Sequence, residues 1–281
     1  MTHVLRIRLG GDHSAYHCGS AAAFRAIRAA AERAGRVVGE GEDFDLFIMN
    51  GEGSMHHDSI GFAKKMTEIK EAIEQGKRVV LANTVWQDNP PEAAEILRRC
   101  ERITVREVRS QAALRAIGVD SDVAIDQSFY DPVDEQECVP ELRGKVILTD
   151  FFSREFNSFV KVTAKWTQTH HYVQMHELSW SDMVKLLRSA RVLLTGRHHA
   201  VYAACRARTP FLTMRGNTHK IEGLLESAGV NIPVFDSFEE LHSAYKSKQY
   251  RQYDYGALFD WMERQPPWEL AVAQSRQESM R

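Results

Sequence analysis

The sequence lacks most of the features that announce a function at sight. Four cysteines occur in 281 residues (Cys18, Cys100, Cys138 and Cys205), and no two form a Cys-x-x-Cys pair. That spacing argues against a disulfide framework or a zinc ribbon and suits a reducing compartment. Neither charge dominates: 36 basic and 38 acidic residues leave a formal net charge of −2. Bulk nucleic-acid binding needs a basic excess or a basic face, so no nucleic-acid partner is expected. No run approaches the roughly 18 apolar residues of a membrane span, and the start, Met1 to His13, lacks the apolar core of a signal peptide. A soluble, cytoplasmic protein is expected. Also missing are the Gly-x-Ser-x-Gly elbow, the His-Glu-x-x-His helix and a Pro-Cys-x-x-Cys partner for His176-Glu177. Serine hydrolase, zinc protease and deaminase chemistry lose their usual signatures with them.

What is present is a chain that is 43% hydrophobic, enough for one large or two ordinary packed domains. Its rhythm is an apolar strand, a Gly-rich or polar turn, then an amphipathic helix. In the first half strands are expected at Val4–Leu9, Phe44–Met49, Arg78–Trp86, Arg102–Val108 and Val123–Ile125. Helices are expected over Ala21–Ala34, Phe62–Gln75 and Pro90–Cys100, with a short one ending at Gly118. The acidic, aperiodic stretch Asp131–Glu137 reads as a linker. Beyond it the rhythm restarts with strands at Val146–Phe151, Tyr172–Met175, Arg191–Thr195, Pro210–Met214 and Pro233–Phe235. Helices are expected there at Ser158–Trp166, Ser181–Ala190, His198–Ala207, Lys220–Ser227 and Phe238–Lys246. Strands alternating with helices give parallel sheets covered on both faces. The expectation is two Rossmann-like α/β domains, residues 1–131 and residues 132–281 with a helical tail, facing a cleft.

Open α/β sheets bind ligands beyond the carboxyl ends of their strands, and three such turns are rich in reactive side chains. Asn50-Gly51-Glu52-Gly53-Ser54 runs into Met55-His56-His57-Asp58. Its glycines admit a ligand close to the backbone, amides at the next helix start favour an anion, and histidines move protons near neutrality. The same run would equally serve as a plain helix-capping turn. Arg106-Glu107-Val108-Arg109-Ser110 offers a planar fork for carboxylate or phosphate, or an ordinary ion pair. Thr195-Gly196-Arg197-His198-His199-Ala200 brings a cation, a proton carrier and free amides to one helix start, and here a functional role outweighs a structural one. His13 and His17 have helix-face ligand spacing but no evident third ligand. Asp126 follows a strand and reads as a turn-orienting residue. Trp166, Trp180, Trp261 and Trp268 could stack on sugar rings, though burial in the core is their commoner fate.

In order and spacing, these turns resemble the polysaccharide pyruvyl transferases. The resemblance rests on Asn50-Gly51-Glu52-Gly53-Ser54, on Val105 to Gly118, on Thr195-Gly196-Arg197-His198-His199-Ala200, on Pro210-Phe211-Leu212 and on Lys220 to Leu225. It spans about residues 44–229. It implies a GT-B-like pair of domains with the active site in the cleft. It also implies transfer of the enolpyruvate carbon of phosphoenolpyruvate to two hydroxyls of a sugar, giving a cyclic ketal and free phosphate. By this resemblance Arg197 and Arg106, with Gly51, Gly53, Ser54 and His198, form the donor side. His199 and His57 are the proton carriers, with His56 as an alternative to His57. No metal and no cofactor beyond the donor are implied. The partners would be a small-molecule donor and a glycan acceptor, with peripheral membrane contact at the inner face if that acceptor is lipid-linked. Glu52 stands where many members carry Gly, and its carboxylate could serve as base on a sugar hydroxyl. The chain is also short for the family. A nucleotide-sugar-dependent glycosyltransferase using the same cleft is the second reading, and a non-catalytic glycan- or nucleotide-binding protein the third.

Overall fold

The structure is a computed structural model and describes residues 4–135, 138–150 and 170–270. The helix expected at Ser158–Trp166 lies outside the described residues. Strands β1 (Arg6–Gly10), β2 (Arg36–Val38), β3 (Leu46–Asn50), β4 (Arg78–Thr84), β5 (Arg102–Val105) and β6 (Asp122–Val123) form one sheet in the order β2-β1-β3-β4-β5-β6. Strands β7 (Val146–Thr149), β8 (His170–Val173), β9 (Val192–Thr195), β10 (Phe211–Met214) and β11 (Val234–Phe235) form a second, ordered β11-β10-β9-β7-β8. Every pairing in both sheets is parallel. Central strands such as β3, β9 and β10 are buried along their whole length, the pattern of strands covered on both faces. This is the expected fold: two Rossmann-like, GT-B-like domains.

The helices differ from the sequence reading mainly at their ends. Helix α1 (Cys18–Ala34) starts three residues early because His17 caps it, its Nδ1 accepting from the Ser20 amide at 3.2 Å. Helix α2 (Ile60–Glu74) is capped by Ser59 and stops before Gly76, whose φ of 72° suits glycine. The segment Pro90–Cys100 is a 3₁₀ turn followed by one short helix, α3 (Ala94–Leu97). Arg106 and Glu107 leave the strand they were expected to extend. Glu107 caps α4 (Val108–Ala116), its carboxylate accepting from the Arg109 and Ser110 amides. In the second half, α5 (Trp180–Ser189), α6 (His198–Arg206), α7 (Lys220–Ser227), α8 (Phe238–Lys246) and α9 (Tyr255–Glu263) cover the sheet.

The halves are joined on two flanks. Helix α1 buries Cys18 and Ala22 in the core of the second sheet, and Ile27, Ala30 and Ala31 in a core of the first. Trp268, near the end of the described chain, crosses back into that first-sheet core. On the other flank α4 meets α7. The Val108 amide donates to Ser227 Oγ at 3.1 Å, and Arg109 Nε to Glu226 at 2.7 Å. Gly223 permits this approach, since a Cβ there would lie 2.0 Å from the Glu107 carboxylate. Among the described residues no helix is long and apolar enough to cross a membrane.

Candidate active site in the interdomain cleft

Five loops at the carboxyl ends of β1, β3, β5, β9 and β10 converge on one cavity of about 250 Å³. They supply His13, Tyr16 and His17, then Glu52, Gly53 and Ser54, then Arg106, then Gly196 to His199, then Asn217 and Lys220. The convergence follows from topology, because parallel strands deliver all their carboxyl-end turns to the same side.

Asp126 sits at the centre of the polar network, with no exposed surface. Its Oδ1 accepts from the Ser128 amide at 2.9 Å, which orients the turn after β6. Its Oδ2 accepts from Arg106 Nη1 at 2.6 Å and lies 3.4 Å from His199 Nε2. Burial alone would raise this carboxyl, but the charges of His199 and Arg106 hold it well below the usual carboxylate range. Arg106 is 1% exposed and also donates from Nε to the Asn83 carbonyl at 2.9 Å. Arg106 lines the cavity, and its buried Nη2 has no hydrogen-bond partner among the described residues. A buried, unpaired guanidinium N–H is costly unless a ligand completes it. The His198 ring packs at a tilt against Tyr202, with centroids 4.7 Å apart, and burial beside Arg106 pushes its imidazole well below the ordinary range.

The β3 loop presents the opposing carboxylate. Glu52 is buried; its Oε1 accepts from Ser20 Oγ at 2.6 Å and lies 3.6 Å from His199 Nε2. His199 therefore stands between two carboxylates. Glu52 Oε2 is buried without a partner among the described residues. The loop is stapled from below by Lys65 of α2, whose Nζ donates to the carbonyls of Asn50 (2.7 Å) and Glu52 (3.2 Å). Burial pushes the Lys65 ammonium down to about 7. Gly19 is what lets α1 and α6 approach here: a Cβ on it would lie 2.4 Å from His199 Cβ.

On the second-domain side, α6 opens directly into the cavity. Its cap is Arg197, which has no acceptor to offer the first-turn amides. The Arg197 side chain is engaged by Asp150, which accepts from Nε at 2.8 Å and also pairs with Nη2, and by Tyr16, whose hydroxyl accepts from Nη1 at 2.7 Å. Its guanidinium also lies over the Tyr16 ring, 5.4 Å from the centroid. Lys220 donates to Asn217 Oδ1 at 2.7 Å, and burial with Arg106 nearby pushes its ammonium down to about 7.

Of the residues singled out in sequence, Glu52, Gly53, Ser54, Arg106, Arg197, His198 and His199 line this one cavity. His57 does not. It leaves the β3 loop with a φ of 54°, and its Nε2 pairs with Asp88 at 3.2 Å on the exposed rim, 42% of the side chain accessible. His56 is held by the Gly53 carbonyl at 2.8 Å and does not line the cavity either. Gly51 is packed behind the loop, where a Cβ would lie 2.4 Å from Thr84. It shapes the turn rather than lining the cavity. Asp126, read as structural, both orients its turn and faces the histidines. Nothing in the sequence pattern marks His13, Tyr16, His17, Lys65, Asn217 or Lys220 as part of this site. The pair His13/His17 was visible, but as a metal-ligand spacing. Among the described residues no cluster of three or more metal-ligating groups forms.

Comparison with known proteins agrees with this geometry. A family model described as polysaccharide pyruvyl transferase matches residues 11–217. No curated protein matches the chain by sequence. Among solved structures, a functionally uncharacterised protein from Klebsiella pneumoniae subsp. pneumoniae NTUH-K2044 is similar at 13% identity and a TM-score of 0.59, over 83% of this chain and 93% of that one. A Listeria monocytogenes protein assigned as a UDP-N-acetylglucosamine 2-epimerase is similar at 10% identity and a TM-score of 0.56, over 94% and 92%. A further UDP-N-acetylglucosamine 2-epimerase gives 10% identity and a TM-score of 0.56, over 95% and 92%. At such identities these likenesses concern the fold alone. The family match covers most of the chain and includes every residue lining the cavity but Lys220, so the chain belongs to the polysaccharide pyruvyl transferase family and is a transferase that acts on glycans.

Proposed function

We propose that this transferase takes phosphoenolpyruvate as donor and closes a pyruvate ketal on two hydroxyls of a sugar. The observation that carries the reading is the unpaired Nη2 of Arg106, buried beside Lys220 and the open start of α6 in a cavity of about 250 Å³. Phosphate is held well by a guanidinium edge and helix-terminal amides. The volume favours a small donor, since sites for larger ligands span roughly 300–1,000 Å³. Arg197 reaches the same anion by exchanging its Tyr16 or Asp150 bond for a donor oxygen.

Ketal formation joins two sugar oxygens to C2 of the donor, and C3 passes from methylene to methyl. The first hydroxyl adds to C2 while a proton is delivered to C3. The C2–O bond to phosphate then breaks, and the second hydroxyl adds to C2 as its proton is removed. The net proton from one hydroxyl ends on C3 and that from the other leaves with phosphate. In this reading His199, between Glu52 and Asp126, delivers the proton. Glu52, whose Oε2 has no partner among the described residues, receives one from a sugar hydroxyl. General acid and base groups of this kind are each worth about 10²–10⁴-fold.

Calorimetric titration with phosphoenolpyruvate and a panel of nucleotide sugars tests the donor assignment. Saturable binding of phosphoenolpyruvate that weakens in Arg197→Ala supports it; binding of a nucleotide sugar alone sinks it.

A further inference from the structure

Two of the cavity cations come from different domains and repel each other. Arg106 follows β5 in the first domain and Lys220 opens α7 in the second; both line the cavity, and Arg106 helps to push the Lys220 ammonium down to about 7. One residue away on each segment, the two domains touch. Glu107 follows Arg106, and His219, the cap of α7, precedes Lys220. His219 Nε2 lies 3.4 Å from Glu107 Oε1 and 3.3 Å from Ser110 Oγ. The Glu107 carboxylate has no exposed surface, and besides capping α4 it pairs with the Ser110 hydroxyl. Ser110 Oγ in turn accepts from the Trp86 amide at 2.8 Å. Gln87 adds a second hold from the first domain, its Oε1 accepting from the His219 amide at 2.9 Å. Glu107, Ser110, Gln87 and His219 do not line the cavity.

We propose that Glu107 and His219 are positioning residues: their contact sets Lys220 beside Arg106, so that the anion seat is complete only while the two domains are latched along this edge. Like charges held close in a buried site repel strongly. Of the charged groups acting on Lys220, Arg106 and Arg197 oppose its ammonium, while Glu52 and Asp126 favour it. An anion seated between the cations relieves their repulsion, and the latch removes the cost of gathering them at the moment of binding. Helix α7 comes this close because residue 223 is glycine, with no Cβ to meet the Glu107 carboxylate. The role in donor binding rests on the reading above, but the state of Lys220 is measurable without a donor.

The test pairs donor affinity with the protonation of Lys220, on the full chain. By calorimetry His219→Ala raises the Kd for phosphoenolpyruvate about two- to tenfold, the worth of one hydrogen bond. His219→Gln, whose amide nitrogen can stand where Nε2 does, stays within about twofold of the wild type. In a Lys220→Met background His219→Ala has no further effect, because the residue through which it acts is gone; a merely structural role would cost the same in both. Competitive acetylation read by mass spectrometry gives the pH at which Lys220 becomes reactive. In His219→Ala that midpoint moves up toward the ordinary lysine range. Gln87→Ala moves both readouts the same way and takes the place of His219→Ala should thermal melts show the latter unfolded. Where the wild type binds phosphoenolpyruvate, an unchanged Kd in the folded variant, or a loss that persists beside Lys220→Met, overturns the proposal. An unmoved Lys220 midpoint overturns it in every case. A wild type that ignores phosphoenolpyruvate yet shows the Lys220 shift keeps the latch and removes the donor assignment.

Discussion

Replacing Arg106 with lysine separates the two jobs of that side chain. Nη1 and Nε hold Asp126 at 2.6 Å and the Asn83 carbonyl at 2.9 Å, while Nη2 has no partner among the described residues. Lysine keeps a positive charge for Asp126 but has no second edge to offer the donor. A hydrogen bond to a charged group is worth about 1.5–3 kcal/mol, so the Kd for phosphoenolpyruvate rises roughly ten- to hundredfold. Arg106→Met acts differently. It leaves Asp126 buried without its main cation, and losing one partner of a buried pair costs about 3–5 kcal/mol of stability. Calorimetry and thermal melts on the two variants therefore give opposite emphases: lost affinity in a folded protein for lysine, lost stability for methionine. A lysine variant that binds phosphoenolpyruvate as the wild type does would refute the assignment of Nη2 to the donor.

Three further outcomes are expected. Glu52→Gln lowers kcat by about 10²–10⁴-fold with donor affinity unchanged or improved, as steady-state rates and calorimetry will show; a near-normal kcat excludes Glu52 as base. Gly19→Ala drives a methyl toward His199 Cβ, costs about 1–3 kcal/mol in the melt and lowers the rate by moving the start of α6; an unchanged rate means His199 is not sensitively placed. His17→Asn keeps a cap acceptor for the Ser20 amide but removes the ring. The folded wild type holds His17 at about 2 against an ordinary 6.5, so below about pH 6.5 the unfolded chain takes up a proton that the folded chain refuses. Stability is then lost by up to about 1.4 kcal/mol per pH unit as the pH falls. The asparagine variant shows a shallower decline of melting temperature between pH 6.5 and 5, and parallel declines would contradict the account.

The alternation of strand and helix was legible because buried parallel strands read as unbroken apolar runs, as at Leu46–Asn50 and Val192–Thr195. Strand β2 escaped notice because three residues at a sheet edge carry no period. The loop residues of the site were legible where glycine or arginine follows such a run. The sequence does not show which way His57 turns: a left-handed backbone sends it to Asp88 on the rim. Lys65 was invisible for another reason: it occupies a core-facing position of α2, between Phe62 and Met66. Only the two loop carbonyls in the fold give it a purpose. Asp126 shows the limit of assigning one role per residue, since one oxygen orients a turn while the other meets Arg106 and His199.

The central claim is a transfer of the enolpyruvate carbon, and ¹³C NMR follows that carbon directly. Phosphoenolpyruvate labelled at C2 is mixed with the protein and a set of neutral methyl hexosides, with ³¹P recorded in parallel. The account predicts that the enol carbon signal converts to that of a quaternary ketal carbon and that inorganic phosphate appears in equal amount, both only when a glycoside is present. Consumption of a nucleotide sugar under the same conditions, with the labelled carbon left untouched, would contradict it.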